Sequence, residues 1–153
     1  MDVRDFPRDA CAIAAAVVDI GDRWTLLVLR EAFFGVRRFE QLRRNTGAAR
    51  NILTDRLNRL VDEGILRRER YSEHPPRYEY RLTEKGLDLY PVIVTLAQWG
   101  AKWGSLELGP AVELQHRSCG AVIQPALTCP ECGEPIDARS MRALPGPAML
   151  ARG

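Results

Sequence analysis

Leucine returns every three or four positions in AARNILTDRLNRLVDEG. That spacing puts Leu53, Leu57 and Leu60 on one side of a helix, with Asn51, Asp55 and Asn58 opposite and Thr54 and Arg59 at the margins. Gly64 supplies a C-terminal stop, so a helix is predicted over 48–63. Three helices are predicted before it. Residues 9–20 are rich in Ala and open on Asp9 as an N-cap; Gly21 ends them. Residues 23–34 place Trp24, Leu27, Val28 and Phe34 near one face and stop at Gly35. A short helix around Phe39 and Leu42 is closed by the Asn45-Thr46-Gly47 turn.

After Gly64 the period changes from helical to alternating. ILRRERY and RYEYRLT flank a polar, proline-containing tip at 72–76, which predicts a β-hairpin over 65–83 in which Tyr78 and Tyr80 alternate with charges. From Thr83 a long helix is expected to run to about Gly104, with Leu87, Tyr90, Val94, Leu96 and Trp99 as apolar positions and Pro91 bending or restarting it. Beyond Gly109-Pro110 large apolar residues thin out and the end, ALPGPAMLARG, reads as irregular. The expected organisation is a helical domain over 1–108 and a small extension over 109–153, with no internal repeat. The fold class is α+β, mainly helical: a winged helix–turn–helix with a β-hairpin wing, flanking dimerisation helices and a small zinc-ribbon-like tail.

Charge sharpens this picture. The chain has 153 residues and a net charge of +2, yet residues 37–81 hold twelve arginines against seven acids. Cations concentrated on one supersecondary unit are the footprint of a nucleic-acid binder. In such a unit the second helix enters the major groove of double-stranded DNA, and the flanking elements grip phosphate. Asn51, Thr54, Asp55, Asn58 and Arg59 are the candidates for base edges, since Asn pairs with adenine and Arg with guanine. Arg50 suits either base or phosphate. Arg43 and Arg44 on the preceding helix suit phosphate, as do Arg67, Arg68, Arg70, Arg77 and Arg81 on the hairpin. The plainer reading is that these arginines form solvated faces and i,i+4 pairs, Asp55 with Arg59 among them.

Several stretches together resemble the HxlR-type winged helix–turn–helix regulators of bacteria. They are Trp24-Thr25-Leu26-Leu27 with Leu29-Arg30, Arg38-Phe39-Glu40-Gln41-Leu42, Leu53-Thr54-Asp55-Arg56-Leu57, Gly64-Ile65-Leu66, Pro75-Pro76-Arg77-Tyr78-Glu79-Tyr80 and Leu82-Thr83-Glu84-Lys85-Gly86. The resemblance covers about 11–103. It implies a transcription regulator, with repression as its expected mode. It also implies a homodimer built through the N-terminal and post-wing helices, reading an inverted-repeat operator with half-sites about one helical turn apart.

Cysteine chemistry adds two questions. Cys11 lies at the start of the first helix, where backbone N–H groups favour thiolate and Arg8 could assist. In several members of the resembled family a cysteine at a matching position senses oxidants. The alternative is a small packed residue in an Ala-rich dimer helix. His116, Cys119, Cys129 and Cys132 form two x2-spaced pairs, His116-Arg117-Ser118-Cys119-Gly120 and Cys129-Pro130-Glu131-Cys132-Gly133. Four N/S ligands in that arrangement are the pattern of a structural zinc site. A thioredoxin-like pair at Cys129 and Cys132, or a ribbon that folds without metal, are the competing readings.

The expected function is therefore a sequence-specific, dimeric DNA-binding regulator, responsive to oxidants or to an unidentified small molecule. The alternatives are a zinc-ribbon protein–protein adaptor on a winged-helix scaffold and a thiol–disulfide redox protein. Trp24, Trp99 and Trp103 could line an effector pocket, against the commoner role of tryptophan in a core or interface. Catalysis has little support: His74 lies on the wing tip, His116 belongs to the metal candidates, and no phosphate loop or nucleophile elbow occurs. The apolar run from Cys11 to Val18 is too short to span a bilayer, and Asp2, Asp5 and Asp9 spoil the flank of a signal peptide, so a cytosolic protein is expected.

Overall fold

The computed structural model describes residues 8–151. A 3-10 turn (Arg8–Ala10) leads into α1 (Ala12–Ile20), α2 (Arg23–Phe33), α3 (Phe39–Thr46) and α4 (Arg50–Asp62). Strands β1 (Leu66–Glu73) and β2 (Pro76–Leu82) follow, then α5 (Glu84–Leu87), α6 (Tyr90–Trp103), β3 (Leu114–Gln115), β4 (Val122–Ile123) and α7 (Pro147–Leu150). Each sheet is a two-stranded antiparallel hairpin, β1–β2 and β3–β4. The first α-helix thus begins after Cys11, and Asp9 lies in the 3-10 turn instead of capping it.

The core is assembled from the predicted leucine stripe. Leu53, Leu57 and Leu60 of α4 are fully buried with Val28 and Leu29 of α2, Leu42 of α3, and Ile65 and Leu66 at the base of β1. Each such side chain contributes about 1.5–3 kcal/mol by leaving water. The α2 stripe differs from expectation. Its inner face is Thr25, Val28, Leu29 and Glu31, whereas Phe34 is 52% exposed. Phe34 is the C-cap, outside the last helical turn, so it does not continue the helical stripe.

Two polar devices hold α2 in place. Asp22 caps its N-terminus, accepting from the amides of Trp24 at 3.0 Å and Thr25 at 3.1 Å and from the Thr25 hydroxyl at 2.5 Å. The same carboxylate faces Arg56 Nε of α4 at 3.1 Å. At the other end the buried Glu31 carboxylate accepts from Arg30 at 2.9 Å and from Asn45 Nδ2 at 2.5 Å, joining α2 to the end of α3. A buried carboxylate needs such partners to offset its lost hydration.

The long helix expected after the wing is broken at Asp88 and Leu89 into α5 and α6. Pro91 causes this, because its ring would meet the carbonyl four residues back; in the first turn of a new helix its missing N–H costs nothing. Thr83 caps α5, its hydroxyl accepting from Gly86 N at 3.1 Å and donating to the carbonyls of Gly64 (2.5 Å) and Ile65 (3.1 Å). Lys85 Nζ donates to the Glu63 carbonyl at 2.7 Å, at the end of α4. These contacts explain the Leu82-Thr83-Glu84-Lys85-Gly86 run: it clamps the wing's exit onto the turn between α4 and β1.

Residues 12–94 form one compact unit; the described residues from Thr95 on, with those before Ala12, form a second. The division falls inside α6, of which Val94 is the buried residue. The second unit is built from hairpin-like turns. Leu114 pairs with Ile123 and Gln115 with Val122, Thr128 bridges to Pro135, and Gln98 of α6 donates to the Pro125 carbonyl at 2.7 Å. No described residue after Val94 is buried. No helix among the described residues is long and apolar enough to cross a membrane.

Candidate nucleic-acid interface

The turn between α3 and α4 is set by Gly47, whose φ of +72° lets its N–H close α3 on the Arg43 carbonyl at 3.0 Å. Thr46 fixes the same turn from within, donating to Leu42 O at 2.8 Å and accepting from Ala48 N at 3.3 Å. Buried Ala48 and the N-cap Ala49 then deliver α4, starting at Arg50 instead of 48. No side chain caps α4, so its first amides stay available to a phosphate oxygen.

With Leu53, Leu57 and Leu60 turned inward, α4 presents Asn51, Thr54, Asp55 and Asn58 to solvent. Asn51 and Asn58 make no side-chain hydrogen bond with the described residues, whereas the Thr54 hydroxyl donates back to the Arg50 carbonyl at 2.8 Å. Asp55 pairs with Arg56 at 3.0 Å, not with Arg59. Arg59 is half-buried and donates to the Val18 carbonyl of α1, so it ties the helix to the fold from the far end.

The other arginines divide into engaged and unengaged groups. Glu40 of α3 holds both Arg43, at 3.1 Å, and Arg50, whose guanidinium also lies 5.1 Å from the Phe39 ring. Hydrogen bonds from Arg50 and then Arg43 keep the Glu40 carboxyl below the usual carboxylate range. On one face of the wing Arg67 pairs with Glu69 at 2.6 Å, and Arg81 pairs with Glu69 at 2.9 Å and Glu79 at 2.5 Å. The Arg67 hydrogen bond, with the Arg67, Arg81 and Arg37 charges, keeps Glu69 ionised to lower pH against the upward pull of burial. On the other face Arg68 stacks 4.4 Å from the Tyr78 ring and Arg70 5.6 Å from it, Arg70 also reaching Glu73 at 2.8 Å. Arg44, Arg68 and Arg77 are exposed and have no carboxylate partner among the described residues.

The wing is anchored to the start of α3. Tyr80 N donates to the Arg37 carbonyl at 2.8 Å, and the Arg38 guanidinium lies 4.5 Å from the ring of Tyr71. Tyr71 is freed for this by a bulge, since Arg70 pairs with Tyr78 and Ser72 with Arg77. The strands continue to Glu73 and restart at Pro76, so the tip is shorter than the sequence suggests. Sequence reasoning missed the tyrosine platforms under Arg38 and Arg68; an aromatic ten residues on, across the hairpin, signals the Arg68–Tyr78 pair, whereas Arg38 and Tyr71 lie far apart in the chain and leave no local signal.

Cys11 sits between the 3-10 turn and α1, partly covered, while the side chain of Arg8 lies outside the described residues. Trp24 is half-buried against the core, with Arg23 stacked at 4.6 Å, whereas Trp99 and Trp103 are 64% and 67% exposed. In the second unit His116 Nδ1 lies 3.4 Å from Cys119 Sγ. The Cys129 sulfur accepts from the amides of Cys132 and Glu131, which together with the Cys132 thiol favour its thiolate. Among the described residues these four side chains form two pairs, and no three His, Cys, Asp or Glu side chains gather into one ligand group.

A helix, a glycine-closed turn, a second helix with a solvent-exposed polar face and a basic two-stranded hairpin define a winged helix–turn–helix. The HxlR-like helix-turn-helix family matches residues 19–108. An uncharacterized HTH-type transcriptional regulator of Mycobacterium tuberculosis is 49% identical over 92% of this chain and 89% of its own length. One from Methanothermobacter thermautotrophicus is 41% identical over 62% of this chain and 73% of its own. Among solved structures, PA1607 is similar at a TM-score of 0.77 with 33% identity, over 90% of this chain and 96% of that one. The redox regulator HypR in its oxidized form is similar at 0.57 with 32% identity, over 60% and 96%. The chain belongs to the HxlR-like helix-turn-helix family, and it is a DNA-binding transcriptional regulator.

Proposed function

We propose that the chain acts as a homodimer that reads an inverted-repeat operator. In this reading α4 enters the major groove, and Asn51, Asn58 and Thr54 meet base edges. Arg44, Arg68, Arg77 and the open N-terminus of α4 hold phosphates. Arg43 and Arg50 join them when the duplex displaces Glu40. Arg59 serves the fold. The carrying observation is the solvent face of α4: two amide side chains without partners among the described residues, flanked on α3 and the wing by guanidiniums that meet no described carboxylate. Duplex DNA supplies what both lack.

Support for a dimer comes from apolar surface that one chain leaves in water. On α1 Ile13 is 75% exposed, with Val17 and Val18 also uncovered; on α6 the same holds for Leu96, Trp99 and Trp103. Exposed apolar residues on two helices are what a second copy would bury. Selection of bound duplexes from a random pool tests the whole reading. The expected product is an inverted repeat with half-site centres about 10 base pairs apart, or a multiple of one turn. A pool that stays random, or that converges on a single undyadic site, overturns it.

A further inference from the structure

The two x2-spaced Cys/His turns also share one backbone conformation. In the first, His116 N donates to the Ala121 carbonyl at 2.9 Å and Gly120 N to the His116 carbonyl at 2.8 Å. In the second, Cys129 N donates to the Glu134 carbonyl at 2.8 Å and Gly133 N to the Cys129 carbonyl at 2.8 Å. Both glycines are left-handed, with φ of +72° at Gly120 and +76° at Gly133. Each turn closes a short antiparallel pairing, β3–β4 for one and Thr128 with Pro135 for the other. In both, the first and fourth residues are metal-ligating types. A turn needed only to reverse the chain has no reason to carry a nitrogen or sulfur donor at both places, twice.

Two further observations point the same way. The His116 Nδ1 to Cys119 Sγ separation of 3.4 Å is close to the edge of a tetrahedral N/S shell, about 3.5 Å for zinc bond lengths. The amides of Glu131 and Cys132 donate to the Cys129 sulfur, so backbone hydrogen bonds orient that side chain within its turn. The ribbon also needs a staple. Val122, Leu127 and Val112 are exposed, and Leu114, Pro125 and Ile136 are only half-covered. No described residue of this ribbon is buried, so its own core contributes little to its stability.

We propose that the two turns are the halves of one structural zinc site, in which His116, Cys119, Cys129 and Cys132 close a tetrahedral shell around a single ion. The three cysteines bind as thiolates and release their protons to solvent, and His116 binds as the neutral imidazole. The site lies outside residues 12–94, so its loss leaves α4 and the wing intact.

The test uses the full-length chain stripped with a chelator and titrated with Co2+ and then Zn2+. Uptake of one ion per chain is expected, with the intense visible bands of tetrahedral Co2+ bleached by Zn2+. Zinc should protect Cys119, Cys129 and Cys132 from a thiol reagent, and chelator should expose them. His116→Ala and Cys129→Ser should each abolish stoichiometric uptake; if a variant fails to fold, the chelator arm on the unaltered chain still decides. Thiols equally reactive with and without zinc overturn the proposal. So do one ion per two chains, uptake that survives both His116→Ala and Cys119→Ser, and a Cys129–Cys132 disulfide that persists in zinc. Operator binding measured alongside fails only if the α4 reading fails.

Discussion

Gly86 shows how much one position decides. A Cβ there would collide with the Ile65 carbonyl and lie 2.9 Å from Leu82 Cδ2, because α5 is drawn tightly onto the base of β1 by Thr83. Gly86→Ala should therefore cost about 1–3 kcal/mol, the usual range for overpacking. A fall in the urea midpoint at unchanged m-value would register it. Asp22 is a second such residue. Burial pushes its carboxyl upward, but the Thr25 hydroxyl and amide, the Arg56 charge and the Trp24 amide outweigh that and bring it below its usual value. A depressed carboxyl stabilises the fold fully above the unfolded value, about 3.9, and that contribution fades as pH drops through the folded value. Asp22→Asn should be destabilised by about 1 kcal/mol at neutral pH. The gap from the unaltered protein should narrow on acidification in melts across pH 7 to 3; a gap that widens would reverse the sign argument.

At the scale of elements, the proposed reading gives α4 and the wing different parts in recognition. Asn51→Ala should weaken operator binding by about 1–3 kcal/mol and relax preference at one base pair. Arg68→Ala and Arg77→Ala should weaken all sequences alike, each flattening the salt dependence by about 0.9 in the logarithmic slope. Glu40→Gln makes the opposite test. It removes the carboxylate that holds Arg43 and Arg50, so affinity should rise and the slope steepen by about one to two contacts. Fluorescence anisotropy at several salt concentrations reads all four. The leucine stripe of α4 was legible in the chain because helical period and core burial are both local in sequence. The role of Arg59 was not, since the Val18 carbonyl it meets lies 41 residues away. Nor was the α2 face, where one residue past the helix end carried Phe34 into solvent.

For the whole molecule, the unpaired apolar side chains of α1 and α6 point to assembly. Trp99→Glu, at a side chain 64% exposed in one chain, should shift sedimentation from dimer to monomer while leaving the monomer's helical signal intact. Val17→Glu should do the same from α1. If both variants sediment like the unaltered protein, these faces are not where copies meet. Loss of the dimer should also weaken operator binding far more than half-site binding, because two recognition helices on one dyad act as a linked pair.

Read by itself, the chain settles which segments are helices and which form the hairpin, where the basic charge concentrates and which leucines turn inward. Those properties depend on neighbours within one or two turns, so spacing alone encodes them. Tertiary structure decides which guanidiniums are spoken for. Glu40, Glu69, Asp22 and the Val18 carbonyl each claim arginines that look equivalent in the one-dimensional pattern, because an ion pair depends on where folded elements meet and not on separation along the chain. It also decides that the two Cys/His turns take the same backbone shape, since left-handed glycines and cross-turn hydrogen bonds are set by conformation that residue identity only permits.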